Sequence, residues 1–236
     1  MRWPLLASAA LLLLHVAPVH GYWKEPGERQ LEILRRQVTI AADGSSAEPK
    51  RAVAVLAAGC FWGVELAFTR LPGVLQTEVG YTGGHITNPA YEQVSRGSTM
   101  HAEAVRVTYD ASILSYEDLL AVFFDAHDPT QKNRQGNDIG TRALRGLDPP
   151  THLLTADAST LDAAEYRSAI FVVDDEERAA AEAAVKKEAG RLGKHVATTV
   201  EPFSTFYAGE DYHQAYLAKR GQTAAKGSVE PIRCYG

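Results

Sequence analysis

Two sulfurs and one displaced carboxyl carry the chemistry that this sequence offers. Cys60 stands in Gly59-Cys60-Phe61-Trp62-Gly63-Val64-Glu65, after a continuous apolar run from Ala52 to Ala58. Beyond it, Phe61, Val64, Glu65 and Phe68 recur at the three- and four-residue spacing of a helix. A cysteine at such a strand-to-helix junction meets the positive end of the helix dipole and unpaired N–H groups. Both lower a thiol pKa and favour a nucleophilic or redox-active thiolate. The same place also suits a small buried hydrophobe, so the neighbours must decide. Glu103 falls on one face of an alternating strand, 102–109, with Val105, Val107 and Tyr109, while Ala104, Arg106 and Thr108 take the other. An apolar face favours the neutral carboxylic acid, which can donate a proton. A place at the strand's wet end, or pairing with a base such as Arg167, would account for Glu103 equally well. Cys234, the only other cysteine, lies in Pro231-Ile232-Arg233-Cys234-Tyr235-Gly236 at the C-terminus.

The elements that must position these groups can be read from hydrophobic period and turn chemistry. The run 52–58 predicts a strand buried on both faces, and Gly59 permits a sharp turn into the helix. Val74 to Tyr81 predicts a second strand, closed by Gly83-Gly84. Ser115-Tyr116-Glu117-Asp118 opens a helix through Leu119, Leu120, Val122, Phe123 and Phe124 in the manner of a capping box. A polar loop begins at Asp128. Arg167 to Val173 predicts another strand, Asp174 caps an Ala- and Glu-rich helix to Leu192, and 195–200 alternates again as a strand. Strands and helices interleave, which predicts a sheet covered by helices.

The 236 residues are 45% apolar and 22% charged, the composition of an ordinary globular chain with a core. Twenty-four basic against 29 acidic residues give a net charge of −5, which leaves no electrostatic footprint for nucleic acid or an anionic membrane. Two cysteines are too few for a disulfide-dense scaffold or a Cys-rich zinc site, and no metal is expected. Arg2, the apolar run from Leu5 to Val16 and the small residues after it predict a secretory signal over 1–21, a short uncleaved anchor being the alternative. That run is too short for a comfortable membrane span, so no stable membrane insertion is expected. Residues 22–50 are mostly polar and read as a linker or flexible segment, within which Leu31, Leu34 and Val38 could make a short helix stripe. Residues 51–236 suit one domain.

The domain resembles the peptide methionine sulfoxide reductases of the A type. The resemblance runs through Gly59-Cys60-Phe61-Trp62-Gly63-Val64-Glu65, Gly80-Tyr81-Thr82-Gly83-Gly84, Asn88-Pro89-Ala90-Tyr91, His101-Ala102-Glu103, His127-Asp128-Pro129-Thr130, Arg134-Gln135-Gly136-Asn137-Asp138 and Tyr166-Arg167-Ser168-Ala169-Ile170, in the family's order. It implies a single α+β domain, a ferredoxin-like two-layer α/β sandwich with a mixed sheet. It also implies reduction of methionine S-sulfoxide, in proteins or free, without metal or organic cofactor. By resemblance Cys60 attacks the sulfoxide sulfur and becomes a sulfenic acid. Neutral Glu103 and the hydroxyls of Tyr91 and Tyr166 match the family's donors to the sulfoxide oxygen, with Glu103 the proton source. Phe61 and Trp62 match an aromatic wall around the substrate methyl, and Asp138 a position that steadies substrate and donors. His213, in Glu210-Asp211-Tyr212-His213-Gln214, lies in a family motif as a substrate-side or structural residue. The ending is similar to plant-type members. It implies that Cys234, on a tail able to swing toward the site, resolves the sulfenic acid as a Cys60–Cys234 disulfide, which a thioredoxin-like dithiol then reduces. A permanent staple between the two cysteines is the alternative. A monomer is expected.

Several positions depart from the family pattern. Ser228 and Ser95 replace cysteines common in relatives, and Met100 replaces the glycine usually preceding His-Ala-Glu. Residues 143–165 form an insertion, or a retained intervening sequence, that splits the segment leading to Tyr166. A displaced Tyr166 would leave an inactive module that binds oxidised methionine without reducing it. The B-type reductases are disfavoured, since the Cys-x-x-Cys zinc pairs of many of them are absent. The N-terminus points to the secretory pathway or the extracellular space, or to a plastid through a bipartite signal.

Overall fold

The computed structural model describes residues 23–24, 29, 31–33, 48–135, 138–139 and 164–234. The predicted signal 1–21, Leu34, Val38 and the predicted insertion up to residue 163 lie outside the described residues. Ten strands are described: β1 Trp23–Lys24, β2 Arg51–Ala58, β3 Val74–Thr82, β4 Ala102–Asp110, β5 Arg134–Gln135, β6 Asp138–Ile139, β7 Ser168–Val172, β8 Thr199–Pro202, β9 Phe206–Ala208 and β10 Ile232–Arg233. The helices are α1 Phe61–Thr69, α2 Tyr91–Val94, α3 Tyr116–Ala126, α4 Asp175–Leu192 and α5 Tyr216–Lys219, with a 3-10 turn at Ala164–Tyr166.

Six strands form one mixed sheet in the order β8-β7-β2-β4-β3-β9, with β7–β8 parallel and every other pair antiparallel. Its centre, β7-β2-β4-β3, follows the chain order strand–helix–strand, strand–helix–strand. The crossovers through α1 and α3 each skip one strand, which is the ferredoxin-like arrangement. Caps start the helices where the sequence places them. Ser115 Oγ accepts the N–H of Asp118 at 3.1 Å, Asp174 accepts that of Glu177 at 2.8 Å, and α4 stops at Gly193 with φ 61°.

The core lies between one sheet face and the helices α1, α3 and α4. Leu56, Phe68, Val107, Leu120, Phe123 and Ile170 are entirely buried there. The described helices that pack on the sheet cover this face. The opposite face carries a smaller cluster, Val55, Ala57, Ala102, Ala104, Ala169 and Phe171, flanked by Phe203 and Phe206. This corrects the expectation that β2 is buried on both faces along its length. Val53 points to the thinly covered side and is 47% exposed. The strand expected at 195–200 is also shorter and later. The pairing of β8 with β7 begins at Ala169↔Thr199, while the N–H of Ala197 goes to the carbonyl of Pro129 at 2.6 Å and leaves the ladder.

The described parts of 22–50 are docked. β1 pairs antiparallel with β10, Arg29 bridges Asp125 of α3 and Glu188 of α4, and Ile33 is buried in the core. Polar composition reads as linker because the docking is made by a guanidinium and by backbone groups, which carry no hydrophobic pattern. Among the described residues no helix is long and apolar enough to cross a membrane.

Candidate active site

The site is built where β2 turns into α1. Gly59, at φ 87°, makes the turn, and its hydrogen faces the side chain of Gln135, whose Cγ would lie 2.3 Å from a Cβ at that position. Gln135 is held there because its amide takes both backbone groups of Asp128, the N–H at 3.0 Å and the carbonyl at 2.8 Å. Cys60 is the N-cap residue of α1, half-buried at the positive end of the helix.

Glu103 lies directly under that turn. It is buried at 3% exposure on the helix-covered face of β4, and its Oε2 accepts the N–H of Phe61 at 3.0 Å. The carboxyl thus satisfies one of the orphan donors of α1 while sitting one residue from Cys60. The alternative pairing with Arg167 does not form in the described contacts of that guanidinium. Arg167 instead bonds both oxygens of Glu201, at 3.3 and 3.1 Å, and the carbonyl of Met100 at 3.1 Å. It thereby fixes the chain immediately after Tyr166.

Two tyrosines from different elements, Tyr91 of α2 and Tyr166 of the 3-10 turn, feel the charges of the thiol and the carboxyl. Burial pushes the Tyr91 phenol up to about 12, and the charges of Glu103 and Cys60 add to the shift. Burial raises Tyr166 well above the ordinary phenol range, again with Glu103, Glu165, Cys60 and Tyr91 contributing. Each hydroxyl accordingly keeps its proton through neutral and alkaline pH and remains a donor. The charges of Glu103 and Cys60 act on both phenols, so the four groups lie within electrostatic reach of one another. The 3-10 turn that carries Tyr166 packs on β4, and the side chains of Arg167 and Ser168 anchor the start of β7.

The aromatic side of the site is held by residues 210–216. Phe61 is buried against Tyr81 and His213, with ring centroids 5.9 and 5.0 Å apart. The Trp62 indole donates to His213 Nδ1 at 3.0 Å and stacks on Tyr216 at 3.9 Å. His213 therefore acts as an acceptor from Trp62 and a ring neighbour of Tyr91, at 4.6 Å, which is a supporting position. Burial pushes its pKa down despite nearby Glu210 and Glu92, which fits a neutral ring with its proton on Nε2. Asp138 is brought near by the short β5–β6 hairpin, where it pairs with Gln135; its side chain lies outside the described part of the molecule.

Cys234 reaches the same helix. Its Sγ lies 2.6 Å from where a Cβ on Gly63 would stand, so the sulfur occupies the space that the glycine leaves open. The two cysteines are separate thiols in this structure, not a staple. The tail that carries Cys234 is docked in this structure, with β10 in a ladder with β1.

Sequence reasoning passed over Glu210. Its Oε1 accepts the Tyr91 N–H at 2.8 Å and its Oε2 the Tyr81 hydroxyl at 2.7 Å. Burial alone would raise this carboxyl, but those two donors outweigh it and hold the pKa below the usual value. The available signal was its place three residues before His213. Among the described residues no group of three or more His, Cys, Asp or Glu is arranged to hold a metal ion. A concavity on the thinly covered sheet face, lined by Val55, Arg106, Phe171 and Phe203 among others, contains no thiol or imidazole.

A sequence profile described as peptide methionine sulfoxide reductase matches residues 52–145 and 153–233, leaving out seven positions inside the predicted insertion. The chain is 47% identical over 184 residues to the chloroplastic peptide methionine sulfoxide reductase A4 of Arabidopsis thaliana, covering 76% of this chain and 62% of that protein. It thus spans about three fifths of that relative's length. It is 46% identical over 170 residues to a peptide methionine sulfoxide reductase MsrA of Methanoculleus marisnigri, covering 71% of this chain and 90% of that one. Among solved structures, the reduced form of Mxr1 from Saccharomyces cerevisiae superposes with a TM-score of 0.61 at 28% identity, over 75% of this chain and 90% of that one.

Proposed function

Because the chain belongs to the peptide methionine sulfoxide reductase family, we propose that it reduces the S epimer of methionine sulfoxide, in proteins and free, to methionine with electrons from thiols. The observation that supports this reading is the buried Glu103 carboxyl taking the Phe61 N–H one residue from Cys60, with the Tyr91 and Tyr166 phenols within electrostatic reach of both.

A sulfoxide sulfur is electrophilic, but its oxygen leaves poorly until it is hydrogen-bonded and protonated. Tyr91 and Tyr166, kept protonated by burial, donate to that oxygen, and Glu103 supplies the proton. The Cys60 thiolate, favoured by the N-terminus of α1, attacks from the other side. Sulfoxide and thiol become methionine and a Cys60 sulfenic acid, the oxygen passing to the cysteine sulfur. Phe61 and Trp62 wall the methyl group, with Trp62 braced by His213, and Asp138 steadies the substrate. Cys234 then condenses with the sulfenic acid, forming the Cys60–Cys234 disulfide and releasing water. A thioredoxin-like dithiol returns both thiols and leaves oxidised.

The names of chloroplastic relatives from Arabidopsis and rice favour a plastid over the secretory route, with 1–21 as part of the address and 143–165 an insertion. A monomer suffices for this cycle, since every group it invokes is carried by one chain. Pre-reduced protein mixed with an S-sulfoxide peptide in single turnover is expected to form methionine in step with Cys60 oxidation, and Cys60→Ala none. Unimpaired conversion by Cys60→Ala would overturn the reading. Binding without conversion by the parent protein would point to a recognition module instead.

A further inference from the structure

The residues between α5 and Cys234 show how the second thiol is held. The side-chain amide of Gln222 takes both backbone groups of Arg233, donating to its carbonyl at 2.6 Å and accepting its N–H at 3.0 Å. Gln222 is itself tied to α5 by its N–H, which donates to Leu217 at 3.0 Å. The amide imitates a neighbouring strand for the residue that immediately precedes Cys234. At the other end of the arm stands Arg70, the C-cap residue of α1, only 2% exposed. Its guanidinium donates to the carbonyls of Thr223, at 2.9 Å, and Glu230, and its own carbonyl accepts the N–H of Gly227 at 2.7 Å. Lys226 adds bonds to the carbonyls of Thr69, at 2.6 Å, and Val74, at 2.7 Å. The arm is thus pinned at both ends of one helix, by Arg70 at the C-terminal end and at the Gly63 seat near the N-terminal end. Gly63 is three residues beyond Cys60, about 4.5 Å along the helix axis.

We propose that Gln222 and Arg70 are positioning residues for the resolving step, holding the C-terminal arm along α1 so that Cys234 meets the Cys60 sulfenic acid from a docked seat. The inference rests on the proposed role of Cys234. In that step the Cys234 sulfur bonds to the Cys60 sulfur, the S–O bond of the sulfenic acid breaks, and the oxygen leaves as water with the thiol proton. Neither positioning residue touches the reacting atoms. A tethered but undocked thiol would still find its partner, at a lower effective concentration.

The test separates the two halves of the cycle in the full chain. Gln222→Ala is expected to release methionine in a single turnover at the parent rate, to form the Cys60–Cys234 disulfide at least about fivefold more slowly, and to lose steady-state rate with a thioredoxin-type dithiol protein. With dithiothreitol, which reduces the sulfenic acid directly, it should match the parent. Arg70→Lys keeps the charge but cannot span two carbonyls, and should show the same split. Disulfide formation at the parent rate in both variants would overturn the proposal, as would an equal slowing of methionine release, which would mean general damage. Cys234→Ser is the separate control. Undiminished turnover of that variant with the dithiol protein would remove the role of Cys234 itself, whatever Gln222 does.

Discussion

The attack centre and the resolving arm are stabilised by different kinds of bond. At the attack centre, side chains from buried elements converge: Glu103 from a central strand, Cys60 and Phe61 from a helix start, and Tyr91 held by Glu210. Displacing any of them disturbs the core. The arm is held almost entirely through its backbone, by the amide of Gln222, the guanidinium of Arg70 and the two-residue ladder with β1. Such contacts carry no apolar pattern and open at lower free-energy cost than a buried core, so the seat of Cys234 depends on a few named polar bonds. On the proposed reading, attack relies on core packing, and resolution on a few polar bonds that hold the arm in its seat.

The largest effect that can break this division is at Glu103. Glu103→Gln keeps an oxygen able to accept the Phe61 N–H, so the fold should persist, while the proton source is lost. Methionine formation in single turnover should fall about 10²- to 10³-fold. Once the variant's Cys60 is converted to sulfenic acid by peroxide, its closure to the Cys60–Cys234 disulfide should proceed at the parent rate. Slowing of both steps, measured by stopped-flow thiol loss and mass spectrometry, would show that the two regions are not separable.

Gly63→Ala tests the seat from the opposite side. Its Cβ would stand 2.6 Å from the Cys234 sulfur, so the arm must shift. Disulfide closure should slow by about tenfold. Alanine in a helix is favoured over glycine by about 0.5–1 kcal/mol, so thermal stability should hold or rise while recycling falls. A loss in both would mean that the arm contributes to folding rather than to resolution alone.

Much of the rigid region was legible in the sequence, because apolar period and caps are physical patterns. The strands β2, β3 and β4 and the helices α1, α3 and α4 lie where alternation, Ser115 and Asp174 place them. Glu103 betrayed itself by breaking the alternation. The arm was illegible for the converse reason. A glutamine that bonds another residue's backbone leaves no periodic trace, and Gln135 on Asp128, Gln214 on Val79 and Gln222 on Arg233 all act in this way. Nor does composition reveal that Arg29 inserts between Asp125 and Glu188, which turns part of an apparent linker into a docked segment. Glu210 was missed because its two partners, Tyr81 and the Tyr91 N–H, are more than a hundred residues away in sequence.

A smaller effect is expected from protons. His213 has a pKa lowered chiefly by burial, as does His101. Below the ordinary imidazole value of about 6.5 the unfolded chain takes up protons that the folded chain refuses. Stability is therefore fully present above that value, falls as the pH drops toward the lowered folded pKa values, and levels off below them. His213→Asn retains an acceptor for the Trp62 indole and removes one titrating group. The loss of melting temperature between pH 7.5 and pH 5 should be smaller in the variant than in the parent. An unchanged loss would place the acid sensitivity elsewhere.

The smallest effect concerns Met100, which holds φ 60° in the left-handed region that disfavours side chains. The strain costs a non-glycine residue about 1–2 kcal/mol, and glycine gives back roughly 0.5–1 kcal/mol through the entropy of the unfolded chain. Met100→Gly should therefore stabilise the protein by up to about 1.5 kcal/mol, a rise of up to about 6 °C in melting temperature for a domain of this size. The backbone carbonyl that Arg167 uses is unaffected by the change, so the guanidinium should keep its hold beside Tyr166 and single-turnover chemistry should stay at the parent rate. A stabilised variant with slower chemistry would mean that the methionine side chain itself shapes the attack centre. A destabilised one would mean that its packing outweighs the strain it imposes.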